Sequence, residues 1–132
     1  MLYGVAAVLQ EMIERKNGHI INVSSVAGRK VFPGGAVYCA TKFAVHALSE
    51  GIRQEVAKHG VRVTTIAPGI FGTPMLRGLP EEVQDNLAKQ VPFPVRLGDP
   101  DEYARLVCFI AETGYMNGET IRLDGAIRMG PK

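Results

Sequence analysis

The chain has 132 residues, 46% hydrophobic and 21% charged, with a formal net charge of +2. That mixture builds one globular domain with a real core and excludes a disordered polymer. Arg62, Arg77, Arg96, Arg105, Arg122 and Arg128 are scattered among acids without a basic block, which argues against a nucleic-acid partner. No apolar run approaches the roughly 20 residues of a bilayer span, so no membrane partner is expected. Cys39 and Cys108 form no CxxC or Cys/His spacing, so no metal site or disulfide framework is expected. A soluble, untargeted protein of a reducing, cytoplasmic compartment is the expectation.

Met1 opens directly into helical periodicity: Leu2, Val5, Leu9, Met12 and Ile13 share one face of a helix over 1–16. The absence of an N-cap before it suggests a chain cut from something longer. Asn17-Gly18 is expected to end the helix in the left-handed manner. His19 to Ser24 is a short β-rich run, apolar enough to be an interior strand, and it is followed by the loop through Pro33-Gly34-Gly35. A long helix is expected from Ala36 to His59, with Ala40, Ala44, Ala47 and Gly51 making a thin side and Val45, Leu48, Ile52 and Val56 supplying bulk.

Gly60 closes that helix, and the β-branched run Val61 to Ile66 is the next strand. Strand, helix and strand make a βαβ unit, which implies a right-handed crossover and parallel pairing. Ala67-Pro68-Gly69 breaks the strand at its carboxyl end, where open α/β sheets bind ligands. A stretch without periodicity, mobile in character, runs on through Leu79. Pro80-Glu81-Glu82 starts a short helix with Val83, Leu87 and Val91 on one face. Asp99, Pro100, Asp101 and Glu102 read as N-cap, N1, N2 and N3 of a helix to about Ala111, with Leu106, Val107, Phe109 and Ile110 buried. Asn117-Gly118 turns the chain into a last strand, Thr120 to Leu123.

The chemistry concentrates in Tyr38-Cys39-Ala40-Thr41-Lys42, where a phenol and an ammonium four residues apart share one helix face. They follow Ser24-Ser25 in the pattern S-x(12)-Y-x(3)-K, so reactive groups converge from strand end and helix. Reducing a carbonyl requires a proton for the developing alkoxide, and the reverse requires a base. A free phenol has a pKa near 10, and a neighbouring cation such as Lys42 favours the phenolate. Ser25 offers a hydroxyl to polarise the substrate oxygen, and none of the three stores hydride, so a nicotinamide cofactor is implied. The pair alone would be an ordinary surface pair; the constellation with Ser25 and the Pro68-Gly69 break carries the inference. His19, His46 and His59 are scattered and are expected to be neither ligands nor catalysts, and Cys39 is expected to be a small buried hydrophobe.

G-H-I-I-N-V-S-S-V-A-G, then Y-C-A-T-K, then A-P-G-I-F-G-T resemble the central signatures of the short-chain dehydrogenase/reductase family of classical type. The resemblance implies an α/β fold, the carboxyl half of a Rossmann-type doubly wound parallel sheet, with three strands and flanking helices. It makes 1–132 a single partial domain lacking the N-terminal dinucleotide-binding half, because the glycine-rich loop and the ribose selector would precede Met1. By resemblance Ser25, Tyr38 and Lys42 match the catalytic residues. Tyr38, Lys42, Pro68, Gly69, Ile70 and Thr73 match cofactor-binding positions, Asn22 a structural position behind the site, and Met75 to about Val91 a substrate lid. The first half resembles broad-specificity bacterial reductases; Thr65 to Met129 looks like the 3-hydroxyacyl-CoA dehydrogenase branch, also described as hydroxysteroid dehydrogenases.

The expected function is therefore NAD- or NADP-dependent interconversion of a secondary alcohol and a ketone, on a small-molecule alcohol or carbonyl substrate such as a 3-hydroxyacyl thioester. The helices over 1–16 and 36–58 resemble those with which the family builds its dimer, so a homodimer or homotetramer is expected. The rival expectation is a truncated or mosaic product, inactive alone and with little cofactor affinity, that serves as an association module.

Overall fold

The computed structural model describes residues 1–127, so the resemblance drawn over Arg128 and Met129 lies outside the described residues. In chain order the elements are α1 (Leu2–Glu14), β1 (Gly18–Val23), α2 (Ala36–Val56), β2 (Val61–Pro68), α3 (Pro74–Arg77), α4 (Glu81–Ala88), α5 (Pro100–Glu112) and β3 (Thr120–Leu123). Short 3-10 turns occupy Val26–Gly28 and Ala57–His59. The strands form one open sheet in the order β1-β2-β3, with both pairings parallel. The chain thus has the expected three parallel strands with flanking helices.

Alternation along β2 explains the layering, since successive side chains of a strand serve opposite faces. Val61 and Val63 join Ile20, Val5 and Val56 in the main buried cluster, with Leu9, Met12, Ile13 and Ile52 packed against it, so α1 and α2 cover that face. Arg62 points the other way and reaches the carbonyls of Ile110 and Ala111 at the end of α5. The ladder brings Ile20 beside Val63 and, on the same face, the buried polar Asn22 beside Thr65. Ile66 and Ile110 are both fully buried.

Several boundaries differ from expectation for local reasons. Helix α1 does end near Asn17, but the left-handed residue is Lys16, with φ 52°, and Gly18 already belongs to β1. Strand β2 continues through Pro68, whose partner on β3 is Leu123. Within the stretch read as irregular, Pro74 starts the one-turn helix α3. Leu48, expected to supply bulk apart from the thin side, is exposed like Ala44 and Ala47, whereas Val56 is buried. Phe109 is exposed, because the buried stripe of α5 runs through Leu106, Val107 and Ile110 and Phe109 lies one step off it.

The cap of α5 forms as its sequence implies. Asp99 Oδ1 accepts from Asp101 N at 2.9 Å, and Glu102 Oε2 accepts from Asp99 N at 2.8 Å. Arg96 adds a two-pronged ion pair to Glu102, at 2.9 and 2.7 Å. That guanidinium and the Asp99 amide hold the Glu102 carboxyl down to about 2. No helix among the described residues is long and apolar enough to cross a membrane.

Candidate active site

Strand β1 delivers Ser24 and Ser25 to its carboxyl end, where Ser24 N still donates to Ile66 O at 2.8 Å. The chain then leaves the sheet. Ser25, extended at φ −165°, caps the 3-10 turn by accepting from Ala27 N at 3.1 Å. That contact fixes the Ser25 oxygen at the mouth of the sheet and leaves its proton uncommitted.

Helix α2 starts after the Phe32 to Gly35 turn and carries Tyr38 in its first turn and Lys42 in its second. Tyr38 is 49% exposed. Lys42 Nζ lies 5.8 Å from the centre of the Tyr38 ring and donates to Val23 O at 3.4 Å. The ammonium therefore sits between the phenol and the end of β1, which joins the two elements that carry the predicted residues. Behind them, Asn22 Nδ2 donates to Ser49 Oγ at 2.9 Å, and Ser49 donates on to Val45 O at 2.6 Å. Asn22 thus braces β1 against α2, in keeping with its expected structural position.

Ser25, Tyr38, Pro68, Gly69, Ile70 and Thr73 all line one cavity of about 730 Å³. Lys42 is outside its lining and reaches it only through its contact with the Tyr38 ring. Gly69 holds a close crossing: a Cβ there would come within 2.8 Å of Asp124 Cα, and Gly69 N donates to Leu123 O at 2.9 Å. Thr73 stands at the N-cap of α3, yet its side chain makes no cap hydrogen bond, so the hydroxyl remains available to the cavity it lines.

The opposite wall is apolar and comes from the segment read as a lid: Leu76, Leu79 and Leu87. Gln90, within the segment expected as the lid, also lines the cavity, as do Phe32 and Tyr103, which the sequence does not single out. Tyr103 packs edge-on against Phe71 with centroids 6.0 Å apart, and burial pushes its phenol above the ordinary value. Its signal was present, since Tyr103, Leu106, Val107 and Ile110 fall on one helical stripe. Gln90 follows the end of α4 with no periodic pattern to mark it. Among the described residues no group of His, Cys, Asp or Glu could hold a metal ion.

A parallel sheet flanked by helices, with a cavity at the carboxyl ends of β1 and β2, defines an α/β protein of the doubly wound class. The chain belongs to the short chain dehydrogenase family, whose model matches residues 1–84. It is 53% identical over 116 residues to the 3-hydroxyacyl-CoA dehydrogenase type-2 of Bos taurus, covering 88% of this chain and 44% of that protein. It is 42% identical over 125 residues to the 3-oxoacyl-(acyl-carrier-protein) reductase FabG of Vibrio cholerae, covering 93% of this chain and 51% of that one. The crystal structure of a 3-hydroxyacyl-CoA dehydrogenase type-2 from Mycobacterium avium superposes with a TM-score of 0.87 at 38% identity, over 98% of this chain and 53% of that one. The chain spans about half the length of the curated relatives it matches.

Proposed function

We propose that this chain carries the catalytic half of an NAD- or NADP-dependent oxidoreductase that interconverts a secondary alcohol and a ketone. The observation that carries the reading is the meeting of Tyr38 and Ser25 on one cavity, with the Lys42 ammonium 5.8 Å from the phenol ring. Bound nicotinamide would supply or accept the hydride. The residues present suit its nicotinamide end, because Pro68, Gly69 and Ile70 form one wall and the Thr73 hydroxyl is left without a cap partner beside them.

In this reading Ser25 donates a hydrogen bond to the substrate oxygen, which it can do because its contact with Ala27 N uses only a lone pair. Tyr38 gives its phenolic proton to the oxygen as alkoxide character builds, and takes the proton back in the oxidation direction. Lys42 stabilises the resulting phenolate from its fixed place against Val23 O, and binds the cofactor ribose. The cavity wall of Leu76, Leu79 and Leu87 suits an apolar chain on the reacting carbon, such as that of a 3-hydroxyacyl thioester. The free thiols of Cys39 and Cys108 fit a reducing, cytoplasmic setting.

Reduction of acetoacetyl-CoA followed by NADH or NADPH absorbance tests this assignment. Tyr38→Phe is expected to lower kcat by about 100-fold or more without moving the thermal midpoint. Turnover unchanged in that variant would remove Tyr38 from the chemistry.

A second reading, an association module without activity alone, draws on the apolar side chains exposed on α1 and α2, among them Tyr3, Val37 and Phe43. A second copy of the chain is the proposed partner. Calorimetric titration with NADH and with NADPH separates the readings, since tight binding of either would reject the inactive module.

A further inference from the structure

We propose that His46 is the positioning residue for Lys42 and Tyr38: through Ser24 and Thr120 its imidazole locks helix α2 in register with the ends of β1 and β3. This rests on the reading of Lys42 and Tyr38 as catalytic and adds to it a residue that touches neither substrate nor cofactor. His46 follows Lys42 by one helical turn on α2. Ser24, only 2% exposed, places its Oγ 3.1 Å from Lys42 O and 2.8 Å from His46 Nε2. On the far side of the ring, Nδ1 lies 3.4 Å from Thr120 Oγ1.

A serine hydroxyl has one proton, and when Ser24 gives it to Lys42 O the 2.8 Å contact is an imidazole N–H donating to Ser24 Oγ. In this proposed arrangement His46 is the Nε2–H tautomer, and its Nδ1 lone pair faces the Thr120 hydroxyl. Burial, and then the positive charge of Arg29, push the imidazole below its ordinary value, which favours the neutral form and its lone pair. One ring thus joins three elements: the strand end next to Ser25, the helix turn that carries Lys42, and the first residue of β3.

The pair has no slack. A Cβ on Gly28 would fall 2.5 Å from His46 Nε2 and 2.6 Å from Ser24 Oγ, so the turn capped by Ser25 closes directly over it. A shift of α2 along its axis carries Tyr38 and Lys42 away from Ser25 together, and a displacement of about 1 Å at reacting groups costs about 100-fold in rate. A histidine that merely filled the core would change how much protein folds while leaving the folded fraction at full turnover.

The test compares His46→Leu, which removes both hydrogen bonds, with His46→Gln, which keeps an N–H donor of similar reach. With acetoacetyl-CoA as substrate, His46→Leu is expected to lower kcat about tenfold or more with KM within about twofold, and His46→Gln to recover most of it. The double variant Ser24→Ala/His46→Leu should lose less than the sum of the two single losses, because the two share one contact. Unchanged kcat in His46→Leu, or equal losses in Leu and Gln, would overturn the proposal.

Two nuclear magnetic resonance readouts stand apart from turnover. In the parent chain labelled with 15N-histidine, His46 should show the Nε2–H tautomer, and the Nδ1–H tautomer would overturn the proposal. In folded His46→Leu, the Lys42 carbonyl and Tyr38 ring resonances should move, and unmoved resonances would count against it. Should those resonances move while Tyr38→Phe keeps its turnover, the enzymatic reading fails and the positioning by His46 stands.

Discussion

His19 lies on β1 with its Nε2 2.9 Å from Thr64 Oγ1, while its Nδ1 is buried without a hydrogen-bond partner among the described residues. Burial, and then the charge of Arg62, push this imidazole from 6.5 down to about 4. Above pH 6.5 the ring is neutral in both the folded and the unfolded chain, so its contribution to stability is fully present. As pH falls from 6.5 toward 4, the unfolded chain takes up a proton that the fold refuses, and stability is lost over that window. Unfolding free energies from urea curves measured across it should fall more for the parent than for His19→Gln, by on the order of 1–2 kcal/mol once solvent screening of a half-buried ring is allowed for. His46 acts in the same direction, so the variant keeps a residual slope. The carboxyls of Glu50 and Glu102, each held down to about 2 by arginine, lose their contribution only as pH falls from 4.5 toward 2, so most of the histidine window lies above theirs. None of this was legible in the sequence, where His19 and His46 look scattered: their partners Thr64 and Thr120 are 45 and 74 positions away. Tyr38 and Lys42 were legible because their meeting is set by one helical turn.

Helix α5 ends on a charge supplied by the sheet. Arg62 Nη1 donates to Thr113 O at 2.8 Å and to Met116 O at 3.0 Å, and Nη2 donates to Ala111 O at 3.0 Å. The last carbonyls of a helix lack intrahelical donors and carry negative partial charge, so a fixed guanidinium there satisfies both deficits. Arg62→Ala should cost about 2–4 kcal/mol in urea unfolding, since several carbonyls lose a charged donor, and Arg62→Lys should restore only part, because an ammonium cannot match the planar fork. Helix α5 is legible from its acidic start, whose donors and acceptors lie within four residues, and β2 from its branched side chains. In the sequence Arg62 is one of several scattered basic residues on a strand, because its role appears only when β2 and the end of α5 meet. Helix α3 escaped for another reason, as four residues are too few to display a period. Gly60 is legible as a stop, although α2 gives way to the 3-10 turn Ala57–His59 before it: Gly60 holds φ 75°, and a Cβ would come within 2.4 Å of Lys16 O. Gly60→Ala therefore meets both a left-handed backbone and a carbonyl wall, and a loss of more than 1 kcal/mol, on the order of 2, is expected in the same assay.

At the scale of the molecule, the two faces of the sheet are covered unequally. The α1 and α2 side holds the main buried cluster, whereas on the other side Val23 remains exposed at the end of β1. Local pattern gave the apolar inner stripes of α1 and α2, yet it could not say what meets their outer sides, because that depends on surfaces outside either helix. Val37 is 81% exposed there, and Leu48 is exposed further along the same helix among Ala44 and Ala47. Small residues between larger apolar ones let a second helix approach closely, and the proposal of a second copy of the chain as partner rests on that. Sedimentation at tens of micromolar should then give at least twice the single-chain mass, and the thermal midpoint should rise with protein concentration. The double substitution Val37→Glu/Leu48→Glu should reduce the particle to one chain, since paired carboxylates at the contact would be desolvated without partners. Because both side chains already face water in the single chain, each should change its intrinsic stability by only about 0.5 kcal/mol. Loss of mass with unchanged far-ultraviolet dichroism therefore isolates the contact from the fold, and a parent chain that stays single at every concentration would place the partner of α1 and α2 elsewhere.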